Sequence, residues 1–139
     1  MKKRATVKEI MTENLKSISL HNGSIQMAKD IMEQHGFRHL PVTRGEDLAG
    51  IISLTDIKRI SFGANYGQEG EVDKAIFESL SLDQVMAHNP TAINPSTTIK
   101  EAAEVISSNE FHALPVVEGN ELKGIVTSTD LINYLIDQY

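Results

Sequence analysis

Apolar residues recur along this chain with two spacings, and the alternation between them predicts its elements. Ile99, Ala102, Ala103 and Ile106 fall at i, i+3, i+4 and i+7, one face of a helix. Thr98-x-x-Glu101, just ahead of that stripe, is a capping box, in which each side chain satisfies the other residue's backbone N–H. An earlier stripe, Ile25, Ala28 and Met32, predicts a matching helix. Each stripe is followed by two short apolar runs, joined by Arg44-Gly45-Glu46-Asp47 in one case and Glu118-Gly119-Asn120-Glu121 in the other. Glycine in a polar turn between apolar runs predicts a hairpin. A last helix is expected after Asp56 and after Asp130, where Leu131, Ile132, Leu135 and Ile136 supply the apolar residues. Upstream, Thr6-x-x-Glu9 and Ser81-x-x-Gln84 are capping boxes for short helices over Ile10-Met11 and Val85-Met86. Short extended pieces follow at 17–19 and 92–94.

The pattern is a duplication. Phe37-Arg38-His39-Leu40-Pro41-Val42 returns as Phe111-His112-Ala113-Leu114-Pro115-Val116, 74 residues on. Gly50-Ile51-Ile52-Ser53-x-x-Asp56 returns at the same offset as Gly124-Ile125-Val126-Thr127-x-x-Asp130. Met11 and Asn14 match Met86 and Asn89 at 75, which places one inserted residue near His21–Ser24. The chain therefore divides into a first repeat at 5–60, a linker at 61–79 and a second repeat at 80–139. Gly63, Gly67 and Gly70 punctuate the linker, whose stretch 73–80 is expected to form one helical turn. That glycine-rich stretch has no preceding strand and no Gly-Lys-Ser/Thr ending, so it is not read as a phosphate loop.

The expected fold class is α+β: two pseudo-symmetric repeats, each running helix, strand, helix, strand, strand, helix. One repeat has too little apolar surface to stand alone, so the two are expected to pack sheet to sheet in one module. Pro41 and Pro115 fall inside predicted strands. Proline cannot donate to a ladder, so those strands are edges or bulge there.

Composition narrows the function. The formal net charge of -6 disfavours nucleic acid as a partner. The absence of cysteine removes disulfides and thiolate metal sites and fits a cytoplasmic location. No apolar run approaches the length of a membrane span. His21, His35 and His88 lack metal-ligand spacing, so no metal site is expected. No nucleophile with an adjacent base and no paired carboxylates stand out, so no catalytic residues are assigned and the chain is not read as an enzyme.

The two units resemble cystathionine β-synthase (CBS) motifs over nearly the whole chain. The match is carried by Val7-x-x-Ile10-Met11-Thr12, His39-Leu40-Pro41-Val42 and Gly50-Ile51-Ile52-Ser53-x-x-Asp56, with their second-repeat counterparts. The resemblance implies a disc-like CBS domain pair, or Bateman module, with two clefts for AMP, ADP, ATP or S-adenosyl compounds, regulating a separate partner protein. An adenine nucleotide is thus the expected ligand, with no cofactor. The alternative is a dimerisation or partner-docking module with empty clefts. The resemblance also implies a homodimer, formed through helical faces bearing Met11, Met86, Leu131 and Leu135.

By the same resemblance, Asp56 and Asp130 hold both ribose hydroxyls, a task that suits a carboxylate's paired acceptors. Ser53 and Thr127 donate to phosphate. Arg38, His39 and His112 reach phosphate oxygens, and Ile18 and Ile93 mark segments that wall the adenine. Three alternatives stay open: Ser/Thr-x-x-Asp is itself a helix-capping pattern, Arg38, His39 and His112 fit equally well as solvated strand ends, and Ile18 and Ile93 fit equally well as core. The repeats differ at Arg38-His39 against His112-Ala113, so the two clefts are expected to be inequivalent.

Overall fold

The computed structural model describes residues 4–13, 15–61, 69–109 and 111–139, with only the backbone described at 69–72. It separates into two compact units. The central unit is Lys16–Asn89. The terminal unit joins Met1–Leu15 to Pro90–Tyr139. Both are mixed α+β.

In the central unit, β1 (Ile18–Ser19) pairs in parallel with β2 (His39–Arg44), which forms an antiparallel hairpin with β3 (Asp47–Ser53). Between them α1 (Ile25–His35) starts at Ser24, whose Oγ accepts the Met27 N–H at 3.1 Å, and stops at Gly36 with φ 71°. Helix α2 (Leu54–Ile60) follows β3 directly. Helix α3 (Glu69–Ser79) occupies much of the stretch read as linker. It is eleven residues long rather than the single turn expected, and its Phe77 is 3% exposed in the core. Gly70 and the glycines before it obscured this helix, although Ile76 and Phe77 within it, and Leu80 just after it, pack on the core. Gly63 and Gly67 lie outside the described residues. After α4 (Leu82–Val85), strand β4 (Ala87–His88) pairs antiparallel with β3, opposite Gly50 and Ile51.

The terminal unit repeats the plan. Helix α5 (Ile99–Asn109) precedes the hairpin of β5 (Ala113–Glu118) and β6 (Glu121–Thr127), and α6 (Ser128–Asp137) follows. In place of β1, a single parallel bridge joins Ile93 to Val116. In place of β4, Thr12 exchanges two backbone hydrogen bonds with Ile125, at 3.0 and 3.1 Å. The 3-10 turn Val7–Glu9 precedes it, and Val7 N–H donates to Thr97 O at 2.8 Å.

The compact units are therefore cut differently from the sequence repeats. Val7, from the start of the first repeat, sits in the core with Leu114, Val116 and Val126 of the second. Leu82 and Met86, from the start of the second, sit with Leu40, Val42 and Ile52 of the first. Met86 is 8% exposed, so it is a core residue and not part of an open helical face as expected. Met11 and Leu131 are partly buried against the terminal core. The exposed apolar residues of α6 are Ile132, Leu135 and Ile136.

Both prolines lie within strands, opposite Ile51 and Ile125, and the register of each hairpin shifts just past them, at Val42/Thr43 and Val116/Val117. A bulge describes both hairpins, and β5, which pairs with β6 alone among the named strands, is an edge as well. Strand β2 is no edge at Val42 and Thr43, where β1 pairs with it. The turns hold two residues rather than four. Gly45 and Gly119, each at φ 65°, take the first position, where a β-carbon would be strained.

Gly50 and Gly124 admit the exchanged segments. A β-carbon on Gly50 would stand 2.6 Å from Met86 Sδ and 2.7 Å from the Ala87 carbonyl oxygen. On Gly124 it would stand 2.9 Å from both Met11 Sδ and the Thr12 carbonyl oxygen. A side-chain sulfur can swing aside, but a paired backbone carbonyl cannot. Gly50→Ala and Gly124→Ala should each lower unfolding stability by about 1–3 kcal/mol, the usual overpacking cost. The loss should be larger at Gly50, and urea denaturation midpoints check it.

The capping box of α5 makes a second prediction. The Thr98 N–H donates to Glu101 Oε1 at 3.1 Å, and the Glu101 N–H donates to the Thr98 hydroxyl at 3.0 Å. The Thr98 backbone N–H, and next its hydroxyl, hold the Glu101 carboxyl below the usual carboxylate range. A lowered folded-state value means the stabilisation is complete above the unfolded value, about 4.3, and is lost as pH falls through the folded one. Glu101→Gln keeps an acceptor but no titrating charge. Its deficit in melting temperature relative to the parent should therefore be largest near neutrality and vanish at the acid end of a pH series.

Candidate functional site

In each unit the residues singled out from the sequence meet at one end of the hairpin. Arg38 and His39 open the β2 run, Ser53 ends β3, and Asp56 lies in the first turn of α2. His39 stands opposite Ser53 in the ladder, and the Leu54 N–H donates to the Arg38 carbonyl at 3.0 Å. The terminal unit matches it. Ala113 stands opposite Thr127, and the Ser128 N–H donates to the His112 carbonyl at 3.0 Å. A hairpin that runs straight into a helix leaves no slack, so it sets the strand start, the hydroxyl and the carboxylate side by side.

The pattern Ser/Thr-x-x-Asp forms a capping box in both copies. Asp56 Oδ2 accepts the Ser53 N–H at 2.9 Å while Ser53 Oγ accepts the Asp56 N–H at 3.0 Å. Asp130 Oδ2 accepts the Thr127 N–H at 2.8 Å and Thr127 Oγ1 accepts the Asp130 N–H at 3.1 Å. The helices thus start at Leu54 and Ser128, two residues ahead of the aspartates, because Ser53 and Thr127 are the N-caps.

Capping does not exhaust these groups. A carboxylate has about four acceptor positions and the box uses one. Each hydroxyl accepts one hydrogen bond and keeps its own proton to donate. The second oxygen of the two aspartates differs. Asp56 Oδ1 lies 3.6 Å from Arg59 Nη1, whereas Asp130 Oδ1 has no partner among the described residues. Arg59 was missed from the sequence, although opposite charges three residues apart on a helix face one another.

Ile18 and Ile93 lie farther along the hairpins, paired with Val42 and Val116. Their side chains are 4% and 9% exposed and belong to the cores. The Ile93 N–H and carbonyl are both taken up with Pro115 and Val117. Two shallow depressions lie elsewhere. One, of about 490 Å³, is bordered by Ser24, Lys74 and Phe77. The other, of about 460 Å³, is bordered by Ile93, Thr97 and Glu101. Neither includes an aspartate of the capping boxes.

Of the remaining histidines, His35 stacks on Phe37 with ring centroids 5.5 Å apart. His88 Nε2 lies 2.6 Å from the Asp83 carbonyl oxygen. Among the described residues no three His, Asp or Glu side chains gather as metal ligands, and no helix is long and apolar enough to cross a membrane.

Known proteins resemble this chain in sequence and fold. Protein MJ1225 of Methanocaldococcus jannaschii is 32% identical over 107 residues, which are 74% of this chain and 38% of MJ1225. This chain therefore spans well under two thirds of that relative. The CBS domain-containing protein YhcV of Bacillus subtilis is 28% identical over 127 residues, 91% of this chain and 83% of YhcV. Among solved structures, CBSX2 in complex with AMP superposes with a TM-score of 0.80 at 24% identity, covering 96% of this chain and 98% of CBSX2. A model of the CBS domain matches twice, at residues 7–63 and 82–137. With the duplicated hairpin-to-helix unit and both of these matches, the chain belongs to the CBS domain family and carries a tandem pair of its domains.

Proposed function

We propose that this CBS pair is a regulatory module, acting in the cytoplasm on a separate protein, that binds an adenine nucleotide or S-adenosyl compound. The observation that carries the reading is the double capping box. At the end of each hairpin a carboxylate with spare acceptor positions lies beside a hydroxyl with a spare proton, next to the strand start that bears Arg38-His39 or His112. A cis-diol needs neighbouring acceptors and a phosphate needs donors, and this arrangement offers both. Asp56 and Asp130 take the ribose hydroxyls. Ser53, Thr127, Arg38, His39 and His112 serve the phosphate. Ile18 and Ile93 act through the core, holding the segments that flank the adenine. The AMP bound to CBSX2 makes AMP the first ligand to test.

Adenine ligands should raise the melting temperature, with a stabilisation of about 2.7 kcal/mol at a concentration 100 times the dissociation constant. Guanine nucleotides should bind more weakly. Asp56→Asn and Asp130→Asn should each weaken binding about tenfold at their own box, through loss of a charged acceptor. Asparagine still accepts the Ser53 or Thr127 N–H; it loses the helix-terminus charge term and, at position 56, the weak surface pair with Arg59. Apo stability should therefore fall by no more than about 1 kcal/mol. A flat melting temperature across millimolar AMP, ADP, ATP and S-adenosylmethionine defeats the reading. So does a large apo destabilisation with unchanged affinity.

The second reading, a dimerisation or docking module, is favoured by α6, where Ile132, Leu135 and Ile136 are 56%, 46% and 62% exposed. Dimerisation is compatible with nucleotide binding; empty clefts are not. A second copy covering this face gives the homodimer expected from the family resemblance, with a mass twice 15.3 kDa by light scattering. Ile132→Glu with Ile136→Glu should return the monomer mass. A parent protein already monomeric at micromolar concentration refutes the dimer.

A further inference from the structure

The two boxes share backbone geometry but not charge. Arg59 lies one helical turn after Asp56, and its counterpart 74 residues on is Asn133. Arg38 likewise answers to His112. We infer that the Asp56 box is selective for a phosphate-bearing adenine nucleotide through Arg59, while the Asp130 box takes the adenosyl group without requiring phosphate. This deepens the nucleotide-binding reading above and rests on it.

Three observations carry the inference. First, Arg59 Nη1 is 3.6 Å from Asp56 Oδ1, so its guanidinium hovers over the oxygen assigned to ribose. The Arg59 side chain is 74% exposed, and such surface pairs are weak. A ligand phosphate attached to that ribose can therefore draw the guanidinium away from the carboxylate and offer it a better-matched pair of acceptor oxygens. Second, Arg38 has no partner among the described residues, while its carbonyl is tied to the Leu54 N–H at 3.0 Å. Its backbone is thus held at the box and its charge is not yet used. Third, the Asp130 box has neither cation. Asn133 is neutral, and His112 is exposed and cationic only when protonated. Asp130 Oδ1 has no ion pair to loosen before it accepts a hydroxyl. A neutral nucleoside meets no penalty there, a sulfonium-bearing adenosyl compound finds an uncompensated carboxylate, and a phosphate dianion finds no fixed cation.

Calorimetric titration with AMP and with adenosine tests this on the parent protein and four variants. Asp130→Asn leaves the Asp56 box as the tight site, and there AMP should bind about tenfold or more tightly than adenosine, as expected for one charge-assisted contact. Asp56→Asn leaves the Asp130 box, where the two ligands should agree within about threefold. Adding Arg59→Gln to Asp130→Asn should collapse the preference for AMP, and Arg59→Lys in the same background should restore part of it. A melting temperature close to that of Asp130→Asn shows that the added change did not act through folding. The same AMP-to-adenosine ratio in Asp56→Asn and Asp130→Asn overturns the division between the boxes while leaving nucleotide binding intact. A parent protein that binds neither ligand overturns both.

Discussion

A backbone carbonyl lying 2.7 Å from where a β-carbon of Gly50 would stand is the constraint on which the central unit depends, and Thr12 imposes the same constraint at Gly124. Only a strand without a side chain at that point lets the Met86–Ala87 segment, or Met11–Thr12, pair edge-on and seal the core. The sealing segment always comes from the start of the other repeat. Val7 completes the core around Leu114 and Val126, and Leu82 and Met86 complete the one around Leu40 and Ile52. Either repeat, cut out as a sequence unit, would lack the residues that complete its core. Apolar burial at about 25 cal/mol per Å² is the main favourable term in so small a fold, so this exchange makes the two repeats obligatory partners.

The capping boxes then place the candidate chemistry without a loop of their own. Helices α2 and α6 begin at the last residue of a strand, which fixes their first turn relative to the hairpin. The groups that satisfy the helix start are the same carboxylates and hydroxyls that are proposed to meet a ribose and a phosphate. One acceptor position per aspartate holds the helix, which leaves the others out of the box. Structural and ligand roles are usually rival explanations for such a motif. Here the lone-pair count lets them coexist.

Duplication supplies two such boxes, and later divergence at a few surface positions separates them. Arg38 and Arg59 against His112 and Asn133 change the local charge while leaving every backbone hydrogen bond of the box in place. All four side chains are exposed, so packing leaves them free to vary in this way.

Much of this was legible in the residues themselves, wherever the information is local. Helical stripes, Gly-bearing turns, capping boxes and the 74-residue offset all depend on neighbours within a few positions, and they sufficed for the element order, the duplication and the positions of Asp56 and Asp130. The same locality explains the failures. The length of α3 was hidden because Gly70 weakens the intrinsic helix signal, while the burial of Phe77 that offsets it comes from residues distant in sequence. Met86 fits the core or a helical interface equally well by sequence, and only its place against Gly50 decides for the core. Which repeat's opening segment seals which core follows from the path of the chain in space, and no periodicity encodes it. The sequence by itself therefore determined the elements and the chemical groups available, the Asp56-x-x-Arg59 spacing included. Tertiary structure alone decided which segments complete each core, because that outcome turns on distances between residues far apart in the chain, which no local pattern measures.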